Sequence, residues 1–269
     1  LQIVFVAILV GIALIQIPTK KSKVFLEFFE GLNEVVLKVI DIIMLMAPVG
    51  VFSLIAQTIN KVVGNNPSQV IELLGALGFY MFTLTLGLIL HVAITYLSLL
   101  KFYTKMPIQT FLKGISPAQL LAFSTSSSGA TLPITMERCE EKLGVSEEVS
   151  SFVLPLGATI NMDGTAQYQA VAAVFISQAL GMDLSIADQI TIILTTVLAS
   201  IGTAAVPAAG IIMLIIILES VGVPSAGVAL ILGVDRILDM VRTTVNVTGD
   251  AAVAVSVAAS ENQLKTFGK

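Results

Sequence analysis

Six polar residues share one face of an otherwise apolar stretch. Asp235, Asp239, Arg242, Thr243, Asn246 and Asp250 fall at relative positions 0, 4, 7, 8, 11 and 15. On a helix turning about 100° per residue they make a stripe roughly 100° wide, with Arg236 at its edge. Charges inside an apolar helix are costly and normally face a bundle interior or a cavity. Asp163, Asp235, Asp239 and Asp250 are deep acids, and Arg236 and Arg242 are the deep bases. The surplus of acid needs partners: either two acids are protonated or cations bind there. A ladder of ion pairs along Asp235, Asp239 and Arg242 is the blander reading, but it leaves the charge unbalanced.

A second polar run, Gly157-Ala158-Thr159-Ile160-Asn161-Met162-Asp163-Gly164-Thr165, interrupts another apolar segment. Pro155 upstream, with Gly157 and Gly164, loosens a helix there. An unwound turn frees carbonyl oxygens, which with carboxylate and amide oxygens suit a hard cation. Sodium fits better than a transition metal. Cys139 lies in a polar loop, and His91, alone in an apolar run, reads as a helix-packing residue. Ser124 to Gly129 offers backbone N–H groups at a half-helix N-terminus, an anion receptor; a plain polar turn is the alternative. Arg242 supplies a fork for a second carboxylate. Asp239, three residues earlier, can receive an ammonium. Two carboxylate receptors beside one ammonium receptor describe an acidic amino acid.

The elements that must position these groups follow from composition. The 269 residues are 56% hydrophobic and 12% charged, with mean hydropathy +0.96. Soluble domains are about 25% charged, so half that value argues against a soluble protein, and the composition rules out disorder and a disulfide-rich module. The net charge of −4 and the lack of a basic cluster give no support to nucleic-acid binding. Stretches 1–17, 33–59, 70–100, 149–180 and 226–259 are long enough to cross a bilayer. Two more, 117–136 and 189–218, are broken in the middle by Ser124–Gly129 and by Ser200–Gly210. Non-helical backbone at membrane depth is tolerated only against protein or a wet cavity. Both read as re-entrant hairpins. If each returns to the side it came from, ten Lys/Arg gather on one side and one on the other; crossing gives eight and three. The positive-inside rule prefers the first and puts the C-terminus in the cytoplasm. The chain opens at Leu1, inside an apolar run, and reads as the C-terminal part of a longer protein.

Gly129-Ala130-Thr131-Leu132-Pro133 is echoed by Thr203-Ala204-Ala205-Val206-Pro207. Each hairpin is expected to lead into an interrupted helix, at Asn161–Gly164 and at Asn246–Asp250. Two such units entering from opposite faces form the inverted repeat of a secondary transporter. The fold class is an all-α polytopic membrane protein with two opposed re-entrant helical hairpins and two discontinuous transmembrane helices.

At Thr125-Ser126-Ser127-Ser128, Asn161-Met162-Asp163-Gly164-Thr165, Ala199-Ser200-Ile201-Gly202 and Asp239…Arg242-Thr243…Asn246…Asp250, the chain resembles the dicarboxylate/amino acid:cation (sodium) symporter family of glutamate and aspartate transporters. The resemblance runs to about residue 259. It implies a homotrimer in membrane lipid, eight spanning helices and two hairpins per subunit, with the first three helices and most of the fourth missing here. Residues 1–66 correspond to part of the scaffold or trimerisation domain, the end of the fourth and the fifth helices. Residues 67–269 correspond to the transport domain: sixth helix, hairpin 1, seventh helix, hairpin 2, eighth helix. The resemblance also implies a substrate site of Ser126, Ser127, Ser128, Thr165, Val206, Gly210, Asp239, Arg242, Thr243 and Asn246. The α-carboxylate would meet Ser128 and Asn246; the ammonium Asp239 and the carbonyls of Ser126 and Val206; the side-chain carboxylate Arg242, Thr165 and the Gly210 N–H. One sodium would use Gly157, Asn161, Asn246 and Asp250, and a second Thr159, Ser200, Ile201 and Thr203. A third would use Asp163 and Asn161 with residues of the absent third helix, and Met162 matches the family's central methionine.

Departures refine this. Many archaeal members carry arginine at the position of Ser126 and mammalian ones at that of Met240; Arg236, one turn before Met240, is expected to replace that charge. Gln169 stands where proton- and potassium-coupled members have glutamate, and Asp250 is kept where proton-coupled bacterial relatives tend to lose it. Both favour sodium; the expected location is a prokaryotic inner membrane with the C-terminus cytoplasmic. The expected function is sodium-coupled uptake of aspartate or glutamate by alternating access, without a cofactor and without enzyme activity. The nearest rivals are a C4-dicarboxylate symporter, which Asp239 would repel, and a proton-coupled glutamate symporter. A channel or structural membrane protein would not need opposed hairpins around a charge cluster. An intramembrane protease lacks a serine elbow around Ser128.

Overall fold

The computed structural model describes residues 2–63 and 67–265. Apart from an isolated pairing of Val145 with Leu264, the regular structure among them is helical. The chain divides into two compact units between Leu54 and Ile55.

The first unit holds α1 (Gln2–Gln16) and most of α2 (Thr19–Val63). Pro18 ends the first helix and starts the second: its carbonyl accepts from the N–H of Lys21 and Ser22, and proline cannot continue a preceding helix. The gap between the apolar stretches 1–17 and 33–59 holds Lys20, Lys21 and Lys23 and reads as a loop. They lie instead in the first turns of α2, which runs unbroken for 45 residues, about 67 Å at 1.5 Å per residue.

The second unit begins with α3 (Pro67–His91), a π-helical turn (Val92–Tyr96) and α4 (Leu97–Tyr103). Ile71–Tyr103 is, among the described residues, the stretch both long and apolar enough to cross a membrane. Two helical hairpins follow, each a pair of helices packed on one another. Hairpin 1 is α5 (Ile108–Thr125) and α6 (Ser128–Glu141); hairpin 2 is α9 (Ile186–Ile201) and α10 (Ala209–Ser220). Both are longer than the expected 117–136 and 189–218. Between them lie α7 (Glu147–Ile160) and α8 (Asp163–Ala179), and after them a 3-10 segment (Ser225–Leu230) and α11 (Leu232–Ser260). Local chemistry sets the starts. Ser146 caps α7, with Glu147 and Glu148 in its first turn. Ser185 and Asp188 form a capping box on α9.

The expected break at Asn161–Gly164 is present: Asn161 (φ −86°, ψ 65°) and Met162 (φ −100°, ψ 45°) leave helical geometry. The expected second discontinuous helix is not. Helix α11 passes through Asn246–Asp250 without interruption. Gly249 does not loosen it; a Cβ there would meet the Tyr96 hydroxyl and the Asn161 amide. The glycine permits close approach of two neighbours, and the helix stays intact.

Large apolar side chains face outward, and a polar cluster lies within the apolar core. Phe102 is 85% exposed and Ile186 77%, with Phe79, Leu120 and Phe152 also outward. Asp235, Asp239, Arg242, Thr243, Asn246 and Asp250 are all buried. Helix α11 packs against α3, α4, α5, α6, α7 and α8. From Arg242 to Ala258 nearly all its residues are buried, many of them Ala, Val, Gly or Ser. Small side chains let neighbouring helices surround it.

Candidate functional site

The polar face of α11 meets both hairpins and the α7–α8 break. Ser126, Ser128, Met162, Thr165, Thr203, Val206, Gly210, Asp239, Arg242, Thr243 and Asn246 line one cavity of about 10 Å³, with Ala204 and Ala205. That is room for about one water molecule, so the walls must part to admit a ligand. Of the expected substrate residues only Ser127 is not in this lining. Its hydroxyl points to the opposing hairpin and donates to Ala205 O at 2.7 Å.

Arg242 and Asp239 are adjacent turns of one buried face. Arg242 Nε donates to Asp239 Oδ1 at 2.9 Å. Thr243 Oγ1 donates more weakly to the same oxygen at 3.4 Å. The other oxygen, Oδ2, accepts from the Ala208 N–H at 2.9 Å. The guanidinium stacks over the Tyr168 ring, 4.4 Å from its centroid, a cation–π contact strengthened by desolvation. Gly210 lies against the guanidinium, where a Cβ would collide with it. Arg242 Nη1 is buried and has no hydrogen-bond partner among the described residues, as is true of Ser126 Oγ. Buried donors are rarely left unsatisfied, and both residues line the cavity.

Asn246 holds the break beside the cavity. Its Oδ1 accepts from the Gly164 N–H at 2.8 Å, and its Nδ2 donates to Thr165 Oγ1 at 3.2 Å and to Met162 Sδ at 3.3 Å. One turn on, Asp250 Oδ1 accepts from Asn161 Nδ2 at 3.0 Å and lies against Gly157. The Met162 N–H, which would bond Ala158 O in a continued helix, bonds Ile160 O instead. Gly157, Asn161 and Asp250 are thus brought together beside freed carbonyl oxygen, the donor set a hard cation takes. The other expected set is less gathered. The hydroxyls of Thr159, Ser200 and Thr203 bond the carbonyls of Leu156, Val197 and Ala199 within their own segments, each at 2.9 Å. Thr159 and Ile201 are exposed.

Three functional neighbours escaped the sequence. His91 is no mere packing residue: its Nε2 lies 3.2 Å from Asp163 Oδ2, which also accepts from Tyr96 OH at 2.9 Å. The π-helical turn between them aims both at one carboxylate, and such turns recur at functional sites. Tyr168 beneath Arg242 is the third. Gln169, next to it, is buried and donates to Gly210 O at 3.2 Å.

Residues 1–260 match the sodium:dicarboxylate symporter family. Relatives include an excitatory amino acid transporter of Caenorhabditis elegans, 41% identical over 251 residues, 93% of this chain and 49% of that protein. Excitatory amino acid transporter 3 of Mus musculus is 46% identical over 234 residues, 86% of this chain and 43% of its own. Excitatory amino acid transporter 1 of Homo sapiens is 45% identical over 225 residues, 84% and 41% respectively. The chain spans less than half the length of these curated relatives.

Proposed function

The chain belongs to the sodium:dicarboxylate symporter family, and on that premise we propose that it is the substrate- and sodium-binding part of a symporter for aspartate or glutamate. The observation that carries the reading is the Arg242–Asp239 pair. A buried guanidinium with an unpartnered Nη1 sits beside a carboxylate already shared between Arg242 and a backbone N–H. The first receives a side-chain carboxylate, the second an ammonium, and the Ser126–Ser128 tip, with Asn246, the α-carboxylate. The similarity to excitatory amino acid transporters supports it. A C4-dicarboxylate has no ammonium to offer Asp239.

Sodium at Gly157, Asn161, Asn246 and Asp250 offsets the surplus of buried acid. A second ion belongs to Thr159, Ser200, Ile201 and Thr203, and Asp163, held by His91 and Tyr96, to a third. Substrate binding adds negative charge, so cations must accompany it, and by reciprocity each raises the other's affinity. The hairpins enter the membrane re-entrantly from opposite faces, the outward apolar residues facing lipid and the C-terminus the cytoplasm. Residues 1–66 serve as part of a trimeric scaffold against which residues 67–269 move. Hairpin 2 acts as the gate. The lack of arginine at Met240 and of glutamate at Gln169 supports a prokaryotic inner membrane and sodium coupling.

Calorimetric titration of aspartate at rising sodium tests this. The dissociation constant should fall steeply as sodium rises and stay unchanged in potassium. Equal affinity in both salts would overturn sodium coupling, and equal affinity for succinate would overturn the role of Asp239.

A further inference from the structure

Hairpin 2 brings one donor and one acceptor of its own to the site. The Ala208 N–H donates to Asp239 Oδ2 at 2.9 Å. Three residues earlier, Ala205 C=O accepts from Ser127 Oγ at 2.7 Å and from the Gly129 N–H at 3.1 Å. Asp239 is the group suited to an ammonium, and the serine tip of hairpin 1 the group suited to a carboxylate. The Ala205 carbonyl therefore docks the tip on hairpin 1, and the Ala208 N–H occupies the receptor that an amino acid's ammonium would use. The tip offers nothing to the third receptor, Arg242 Nη1.

We infer that the Ala208 N–H is an internal surrogate for the α-amino group of an amino acid, and that it sets specificity by competing for Asp239. The inference rests on the acidic amino acid reading of the site. A ligand with an ammonium replaces a hydrogen bond from a neutral N–H by one in which donor and acceptor are both charged. A dicarboxylate has no such group. It removes the Ala208 N–H and leaves Asp239 Oδ2 without a donor and facing another carboxylate, while Oδ1 keeps Arg242. Rejection of dicarboxylates thus needs no clash, only a competitor they cannot outbid.

The surrogate is built to yield. Ala208 is at φ 60°, ψ 1°, the left-handed region that a residue with a Cβ occupies at a cost. No side chain caps α10. Residues 205–208 are only half-buried.

The test compares wild type, Ala208→Gly and Ala208→Val in saturating sodium, titrated with aspartate and with succinate, alongside amide exchange at position 208 without added amino acid. Glycine removes the left-handed cost and stabilises the surrogate, so aspartate affinity should weaken about fivefold. Valine, β-branched, is excluded from that region, so aspartate should bind severalfold tighter and succinate should begin to bind. The wild-type amide should be protected, and the protection should disappear in Ala208→Val. If that variant does not fold, the sign of the Ala208→Gly shift decides. Tight aspartate binding unmoved by either substitution, or shifted in the same direction by both, overturns the surrogate. Exchange of the wild-type amide at free-peptide rates overturns it too. Aspartate failing to bind all three proteins overturns the acidic amino acid reading instead, and the exchange measurement still reports on the Ala208–Asp239 contact.

Discussion

Hairpin 1 reverses across Ser126 and Ser127, while hairpin 2 takes the whole of 202–208 to do so. In the first turn, Ser126, Ser127 and Ser128 are all buried. Ser127 caps α6 through the Ala130 N–H at 3.1 Å. In the second, only Thr203 is buried, and the helix that follows has no side-chain cap. Serine hydroxyls tie a chain reversal down; Gly, Ala and Pro leave it to backbone contacts that break singly. The first turn is the better anchored wall of the site and the second the looser one, as the proposed gate requires, since elements that open are drawn from the least stabilised parts of a fold.

Four substitutions sharpen or break this contrast. The largest effect is expected at Arg242, the wall common to both hairpins. Arg242→Ala leaves Asp239 and an incoming carboxylate without their cation, a loss of about 3–5 kcal/mol for a buried pair. Aspartate affinity should fall at least a hundredfold, with neutral amino acids competing equally well in the same assay. Gly157→Ala comes next. Its Cβ would lie 2.8 Å from Asp250 Oδ1, so the carboxylate must turn away from Asn161. About tenfold more sodium should be needed for half-maximal aspartate binding, with the melting temperature little changed; an unaltered sodium requirement would remove Asp250 from the ion site. Ser127→Ala deletes a cap worth about 1 kcal/mol and should lower the melting temperature. The smallest effect belongs to Pro207→Ala, which loosens hairpin 2 by about 0.4–1 kcal/mol. It should speed amide exchange at 202–208 and leave 124–128 as in wild type. If Pro207→Ala lowers the melting temperature more than Ser127→Ala, the division of labour between the hairpins is wrong.

What the sequence showed depended on range. The hairpin breaks and the Asn161–Gly164 turn come from local residue types, and the α11 stripe from helical period. Contacts set by tertiary neighbours were hidden. Asn246–Asp250 looks like a breaker next to a glycine, yet Gly249 answers to Tyr96 and Asn161 across a helix interface. His91 is 72 residues from Asp163, and its one signal, a lone histidine in an apolar run, is the same for a packing residue. The Tyr168 ring under Arg242 reads from sequence as ordinary aromatic core. The bond from Ala208 to Asp239 uses only backbone, which carries no residue signature.

The most direct measurement is uptake of labelled aspartate into liposomes containing the protein, with an inward sodium gradient and then with potassium in its place. Accumulation above the outside concentration, dependent on sodium and blocked by glutamate but not by succinate, is the predicted result. Accumulation driven equally well by a proton gradient without sodium would contradict the cation role given to Asn161 and Asp250.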